Sequence, residues 1–119
     1  MALYHVNFHT LHSQPIFEND AYDQMMRECV RDTLRNHKIL CPAWELMPTH
    51  VHMIIDDFPD LPRSTIMRYV KGSTSHAWTP GYYFVAIQTH RQFMATLQYV
   101  RTNRAQADLP PPAPLAPAQ

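Results

Sequence analysis

Apolar and polar side chains alternate at the start of the chain. In LYHVNFHT, Tyr4, Val6 and Phe8 fall on one side and His5, Asn7 and His9 on the other, the period-two signature of a half-buried strand. Past a turn over residues 13–20 the period lengthens. Tyr22, Met25, Met26, Cys29, Val30 and Leu34 recur at the spacing of one helical face, with Asp20 in place as its N-cap. Residues 38–47 and 50–56 then read as two strands joined by a tight connection at Pro48-Thr49, and Pro42 puts the first of them near an edge or a bulge. A second helix is expected over 64–76, with Ser64 as its cap, Ile66, Met67, Tyr69 and Val70 as buried candidates, and Gly72 weakening its latter part. In WTPGYYFVAIQ a turn at Pro80-Gly81 leads into a β-branched and aromatic strand, after which Thr89 caps a last helix over 90–105.

The order βαββαβα is that of an α+β, ferredoxin-like sandwich, an antiparallel sheet with helices on one face, extended here by a C-terminal helix. Residues 1–107 make one domain. Residues 108–119, DLPPPAPLAPAQ, hold five prolines and are expected to be an extended, disordered tail.

Composition narrows the class. In 119 residues, 45% are hydrophobic, enough for one sizeable core. The opening MALYHVNFHT lacks a secretory signal pattern and no run of eighteen apolar residues occurs, so a cytoplasmic protein with no membrane partner is expected. Cys29 and Cys41, without CxxC spacing, read as reduced and packed indoors. The formal net charge is zero, but residues 1–60 hold four Lys/Arg against nine Asp/Glu, whereas 61–107 hold six Lys/Arg and no acid. That asymmetry suits an anionic partner bound by the second half, and equally an ordinary solvated helix face.

Candidate chemistry lies in two places. His50 and His52, one residue apart on a strand, project to the same side, which makes either half a metal site or a pair of structural histidines. On the last helix Phe93, Met94, Leu97 and Val100 form the apolar stripe, and at about 100° per residue Tyr99 falls roughly 120° from its centre. Tyr99 is therefore either a surface tyrosine or a phenol aimed at chemistry, with Asn103 one turn further on as a hard oxygen donor.

YHVNFHT, MPTHVHMII, MRYVKGSTSHAWTPGYY and LQYVRTN, taken in order, resemble the HUH tyrosine transposases: the single-domain, single-tyrosine transposases of small insertion sequences and their REP-associated relatives. The likeness runs from Leu3 to about Asn103. It implies that His50 and His52 are the paired metal histidines, that Tyr99 is the nucleophile forming a 5′-phosphotyrosine bond, and that the protein is a homodimer acting on single-stranded DNA near hairpins. Tyr99 of one subunit commonly completes the site of the other in such proteins. Three departures concern the site and DNA handling. Asn103 stands where the family usually has Gln, the segment between the second helix and the final strand is short, and Leu11-His12-Ser13-Gln14 replaces the usual basic residues.

The expected mechanism uses Mg²⁺ or Mn²⁺ held by His50, His52 and Asn103, with Tyr99 attacking the scissile phosphate; His90, Gln92 and water are all open as general base. Arg68, Lys71 and Ser73 on the second helix, with Arg101 and Arg104 on the last, are the candidate DNA contacts. Trp78, Tyr82 and Tyr83 read as core or dimer contacts ahead of base-stacking residues, and His5 and His9 as polar surface positions unless their strand neighbours the histidine strand. Two rival readings stand beside the transposase: a non-catalytic single-stranded nucleic-acid or hairpin-binding module, a degenerate or domesticated copy, and a small hydrolase whose metal activates water.

Overall fold

The computed structural model describes residues 2–56, 62–72, 77–112 and 114–115. Four strands, β1 (Leu3–His9), β2 (Ala43–Leu46), β3 (His50–Asp56) and β4 (Tyr83–Ile87), form one sheet in the order β2-β3-β1-β4, with every neighbouring pair antiparallel. Three helices, α1 (Asp20–Asn36), α2 (Arg63–Lys71) and α3 (His90–Gln106), complete the βαββαβα order and the ferredoxin-like sandwich.

The two faces of the sheet are covered differently. Val6 and Phe8 of β1, Leu46 of β2 and Val51, Met53 and Ile55 of β3 pack against Met26 and Val30 of α1 and Ile66, Met67 and Val70 of α2. On the other face, Ala43 and Ile54 meet Leu97 and Val100 of α3. Because β3 lies inside the sheet and is covered on both sides, residues 51–55 are all buried, and the run VHMII is nearly continuous in apolar character for that reason. Among the described residues no helix is long and apolar enough to cross a membrane.

Several local expectations are corrected. The α1 N-cap is Asn19 rather than Asp20: its extended backbone lets Oδ1 accept from the N–H groups of Ala21 and Tyr22, while Asp20 contributes its charge to the first turn. Of the expected α1 stripe, Met26 and Val30 are buried, but Tyr22 and Met25 remain 50% and 38% exposed, and Arg27 takes an inward place. Arg27 is buried because its donors are satisfied, by Asp23 Oδ1 at 2.7 Å, Glu45 Oε1 at 2.9 Å and the Leu46 carbonyl at 3.1 Å. Residues 38–42 are not strand. Lys38 takes a left-handed φ of 52°, the Ile39 N–H closes back on the Leu34 carbonyl, and pairing begins only at Ala43, after Pro42.

α2 begins at Arg63 with Pro62 before it, and it ends at Lys71; residues 73–76, the rest of the expected helix, lie outside the described residues. Gly72 is required at this stop. Its φ is 52°, and a Cβ there would run into Cys29 Sγ. Tyr69, expected inside, is exposed and stacks flat on His37. On α3 Thr89 is the cap as the sequence suggests and Gln92 completes a capping box with it, with Leu97 and Val100 buried and Met94 turned outward. Both cysteines are free, and burial pushes the Cys41 thiol up to about 12. The start of the proline segment is tied to α3: the Leu109 N–H bonds the Arg104 carbonyl, and Arg104 Nε donates to the Pro110 carbonyl.

Candidate active site

The site is assembled by strand register. β1 and β3 pair so that Asn7 faces His52 and His9 faces His50, with His5 one step along opposite Ile54. Since Val6, Phe8, Val51 and Met53 turn into the α1/α2 core, alternation sends His5, Asn7, His9, His50 and His52 to the α3 face. The strand pairing is prolonged by the Thr10 N–H bonding the Thr49 carbonyl at 2.8 Å, which holds the turn before His50 against the end of β1.

Four imidazoles and a phenol gather there. The rings of His50 and His52 lie edge to face at 4.7 Å between centroids, His5 stacks on His52 at 5.2 Å, and His9 is 5.3 Å from His50. Thr49 Oγ1 is 2.9 Å from His50 Nδ1, and His5 Nε2 is 3.1 Å from His52 Nδ1. From α3, Tyr99 brings its hydroxyl to 3.5 Å from His52 Nε2 and its ring edge-on to the same imidazole. Tyr99 is nevertheless 43% exposed, so the phenol can be reached from solvent. The convergence occurs within one chain.

Burial is the main cause holding His5, His50 and His52 neutral. His52, 5% exposed, is pushed down to about 3 by desolvation and then by the charges that His50, His5 and His9 would carry; His50 is lowered by burial and by His9, and His5 by burial. A neutral imidazole keeps one lone pair, which is what a ligand or an acceptor needs. Two buried amide oxygens lie without a partner on the elements that build the site. Asn103, one turn beyond Tyr99 and 9% exposed, and Asn7, opposite His52, both bury Oδ1 without a hydrogen-bond partner. Among the described residues no three His, Cys, Asp or Glu side chains are arranged to hold a metal ion. The donor atoms on this face are the His50 and His52 nitrogens and the Asn7 amide oxygen, with Asn103 one turn beyond Tyr99 on α3.

The expected DNA contacts do not gather on one surface, since α2 and α3 cover opposite faces of the sheet. Arg68 is exposed on α2, near the ring of Tyr69, and Arg101 is exposed on α3. Lys71 is half-buried, its Nζ donating to the Gly81 carbonyl at 3.1 Å and the Thr79 carbonyl at 3.4 Å. Arg104 is committed to backbone carbonyls at both ends, Nη1 to Leu46 and Nε to Pro110, each at 2.9 Å. Ser73 lies outside the described residues. Trp78 is core, stacked on Phe17, whereas Tyr83 is exposed on β4; a cleft of about 410 Å³ opens beside His9, lined by Thr79, Pro80, Gly81, Tyr82 and Tyr83 among others. Of the general-base candidates, Gln92 is engaged in the α3 cap and His90 is exposed at its first turn.

Sequence reasoning missed Asn7 and held His5 and His9 to be surface positions unless their strand neighbours the histidine strand, which it does. The signal was the alternation His5-Asn7-His9, combined with the ferredoxin-like order that seats β1 beside β3.

The family model for IS200-like transposases matches residues 1–77, well over half of the chain, and the chain belongs to that family. The matched segment contains His50 and His52 and ends before Tyr99. Among solved structures, the chain is similar to a REP-associated tyrosine transposase bound to a REP hairpin, at 18% identity and a TM-score of 0.73 over 89% of this chain and 68% of the other. It is also similar to a candidate transposase from Deinococcus radiodurans R1, at 18% identity and a TM-score of 0.62 over 86% of this chain and 91% of the other. At these identities the likeness speaks for the fold. No curated protein sequence matches the chain.

Proposed function

We propose that this transposase-family chain cuts and rejoins single-stranded DNA through a covalent 5′-phosphotyrosine bond on Tyr99. The observation that carries the reading is the Tyr99 hydroxyl 3.5 Å from His52 Nε2, its ring edge-on to an imidazole that itself packs against His50, on a residue open to solvent. A phenol placed there by accident would not need both a polar histidine face below it and a free approach from above.

His50, His52 and Asn103 would hold Mg²⁺ or Mn²⁺, whose chemistry is to draw charge from the phosphoryl oxygens. The fit rests on neutral imidazoles and on the unpaired Asn103 Oδ1, a carbonyl that otherwise costs about 1–3 kcal/mol to bury. Tyr99 Oη attacks phosphorus as its proton leaves, and the bond to the 3′-oxygen breaks, that oxygen departing as a 3′-hydroxyl. The Tyr99–phosphate ester keeps the free energy of the broken link. A 3′-hydroxyl of the same or another strand then displaces Tyr99, and the phenol regains its proton, so strands rejoin without a nucleotide cofactor.

The structurally similar REP-associated protein was solved with a DNA hairpin, which supports hairpin-bearing DNA as the substrate class here. The cleft beside His9, with Tyr82 and Tyr83 on its wall, is the route we assign to the unpaired strand. A homodimer is part of this reading, although Tyr99 meets His52 without a partner.

The test is a labelled hairpin oligonucleotide with a single-stranded flank, incubated with Mn²⁺ and run on a denaturing detergent gel. A shifted protein–DNA band lost in Tyr99→Phe and in His50→Ala supports the proposal. Salt-sensitive binding with no such band means a binding module, and cut DNA without an adduct means a hydrolase.

A further inference from the structure

We infer that His5 is a positioning residue that sets which nitrogen of His52 carries the proton. The inference rests on the metal-histidine reading above, because its consequence is a lone pair presented to the site. His5 projects from β1 beside His52, with the rings stacked at 28° between planes and Nε2 3.1 Å from His52 Nδ1. Two neutral imidazoles at that separation share one hydrogen, so one of them donates and the other accepts.

The two ways of sharing it have opposite outcomes. If His52 Nδ1–H donates to His5 Nε2, then His52 Nε2 keeps its lone pair, and Nε2 is the atom that faces the Tyr99 hydroxyl. The Tyr99 O–H can then donate to it, and a cation can later take the same pair. If instead His5 Nε2–H donates to His52 Nδ1, the hydrogen of His52 sits on Nε2 and blocks that position. Only the first arrangement leaves the site usable, and it places the His5 proton on Nδ1. Ligating histidines are commonly oriented in this way by a partner on their other nitrogen. His5 is not needed as a ligand itself, since its Nε2 already faces His52, and no three such donors among the described residues are arranged for a metal.

The experiment compares wild type, His5→Phe, which keeps an aromatic ring and removes both nitrogens, and His5→Gln, whose amide oxygen can accept from His52 Nδ1. Long-range ¹H–¹⁵N spectra of the metal-free proteins report the His52 tautomer, and titration with Mn²⁺ alone reports affinity. We expect the Nδ1–H form in wild type and in His5→Gln, and a shift to Nε2–H in His5→Phe with Mn²⁺ binding weakened about 10–100-fold. His52 in the Nε2–H form in wild type, or unchanged in tautomer in His5→Phe, overturns the inference. If wild-type Mn²⁺ binding is indifferent to His50→Ala, the metal reading fails, and the metal-free spectra still decide the role of His5. If His5→Phe does not fold, wild type and His5→Gln decide it: loss of the Nδ1–H form in either one overturns the inference.

Discussion

Asn103→Leu separates stability from metal binding at the same atom. Asn103 Oδ1 is buried without a partner, so the folded protein carries a desolvation penalty of about 1–3 kcal/mol at that position. Leucine has nearly the same branched shape and no polar atom to desolvate. The metal-free variant is therefore expected to be more stable than wild type by about 1–2 kcal/mol, the lower part of that range, because the replacement also gives up the amide's remaining contacts. The gain in Tm should be roughly 4–8 °C, at about 4 °C per kcal/mol for a domain of this size. Adding Mn²⁺ reverses the ranking. A cation held at one hundred times its Kd stabilises wild type by about 2.7 kcal/mol, and the variant, lacking the oxygen donor, should respond far less. The assay is thermal unfolding by circular dichroism with and without Mn²⁺, checked by calorimetric titration. The reasoning is refuted if Asn103→Leu is destabilised without metal, or if its Mn²⁺ response equals that of wild type.

Two further outcomes follow from the same packing. His52 is held neutral down to about pH 3, and His50 and His5 are shifted the same way, whereas in the unfolded chain each titrates near 6.5. Depressed folded values mean that the unfolded chain takes up protons first: stability is full above about pH 6.5 and falls as pH drops toward 3, by up to about 1.4 kcal/mol per unit for His52, with His50 and His5 adding in the same direction. Urea unfolding at pH 7.5 and 5.0 should show that loss, and His52→Gln should flatten it; an unchanged slope would contradict the burial argument. Gly72→Ala should lose about 1–3 kcal/mol through its left-handed φ and the collision with Cys29 Sγ, with Cys29→Ala in the same chain recovering only the collision part; denaturant midpoints measure both.

The elements were legible because their periods were clear: alternation in β1, the three-to-four spacing of α1 and the Thr89 cap of α3 each left a local mark. His50 and His52 were legible as a pair for the same reason, since spacing on one strand decides which side both face. Tyr99 stood out by its angle from the apolar stripe of its helix. What was not legible is non-local. His5 and Asn7 join the site only because β1 pairs with β3 forty-odd residues away, in a register that sets Asn7 opposite His52. Arg104 looked like a free cation because the carbonyl it holds, Leu46, lies 58 residues earlier. The false start of β2 at residue 38 has a similar origin: hydrophobic content suggested a strand, and the left-handed Lys38 with the return of Ile39 to Leu34 ended α1 there instead.

The most direct measurement on the central claim is the site of covalent attachment. After reaction with a hairpin oligonucleotide and Mn²⁺, nuclease and trypsin digestion should release residues 92–101, bounded by Arg91 and Arg101, for mass spectrometry. The account predicts a 5′-phosphonucleotide on Tyr99 in that peptide, with a free 3′-hydroxyl on the other DNA fragment. Cleaved DNA with residues 92–101 unmodified, or attachment at any other residue, would contradict it.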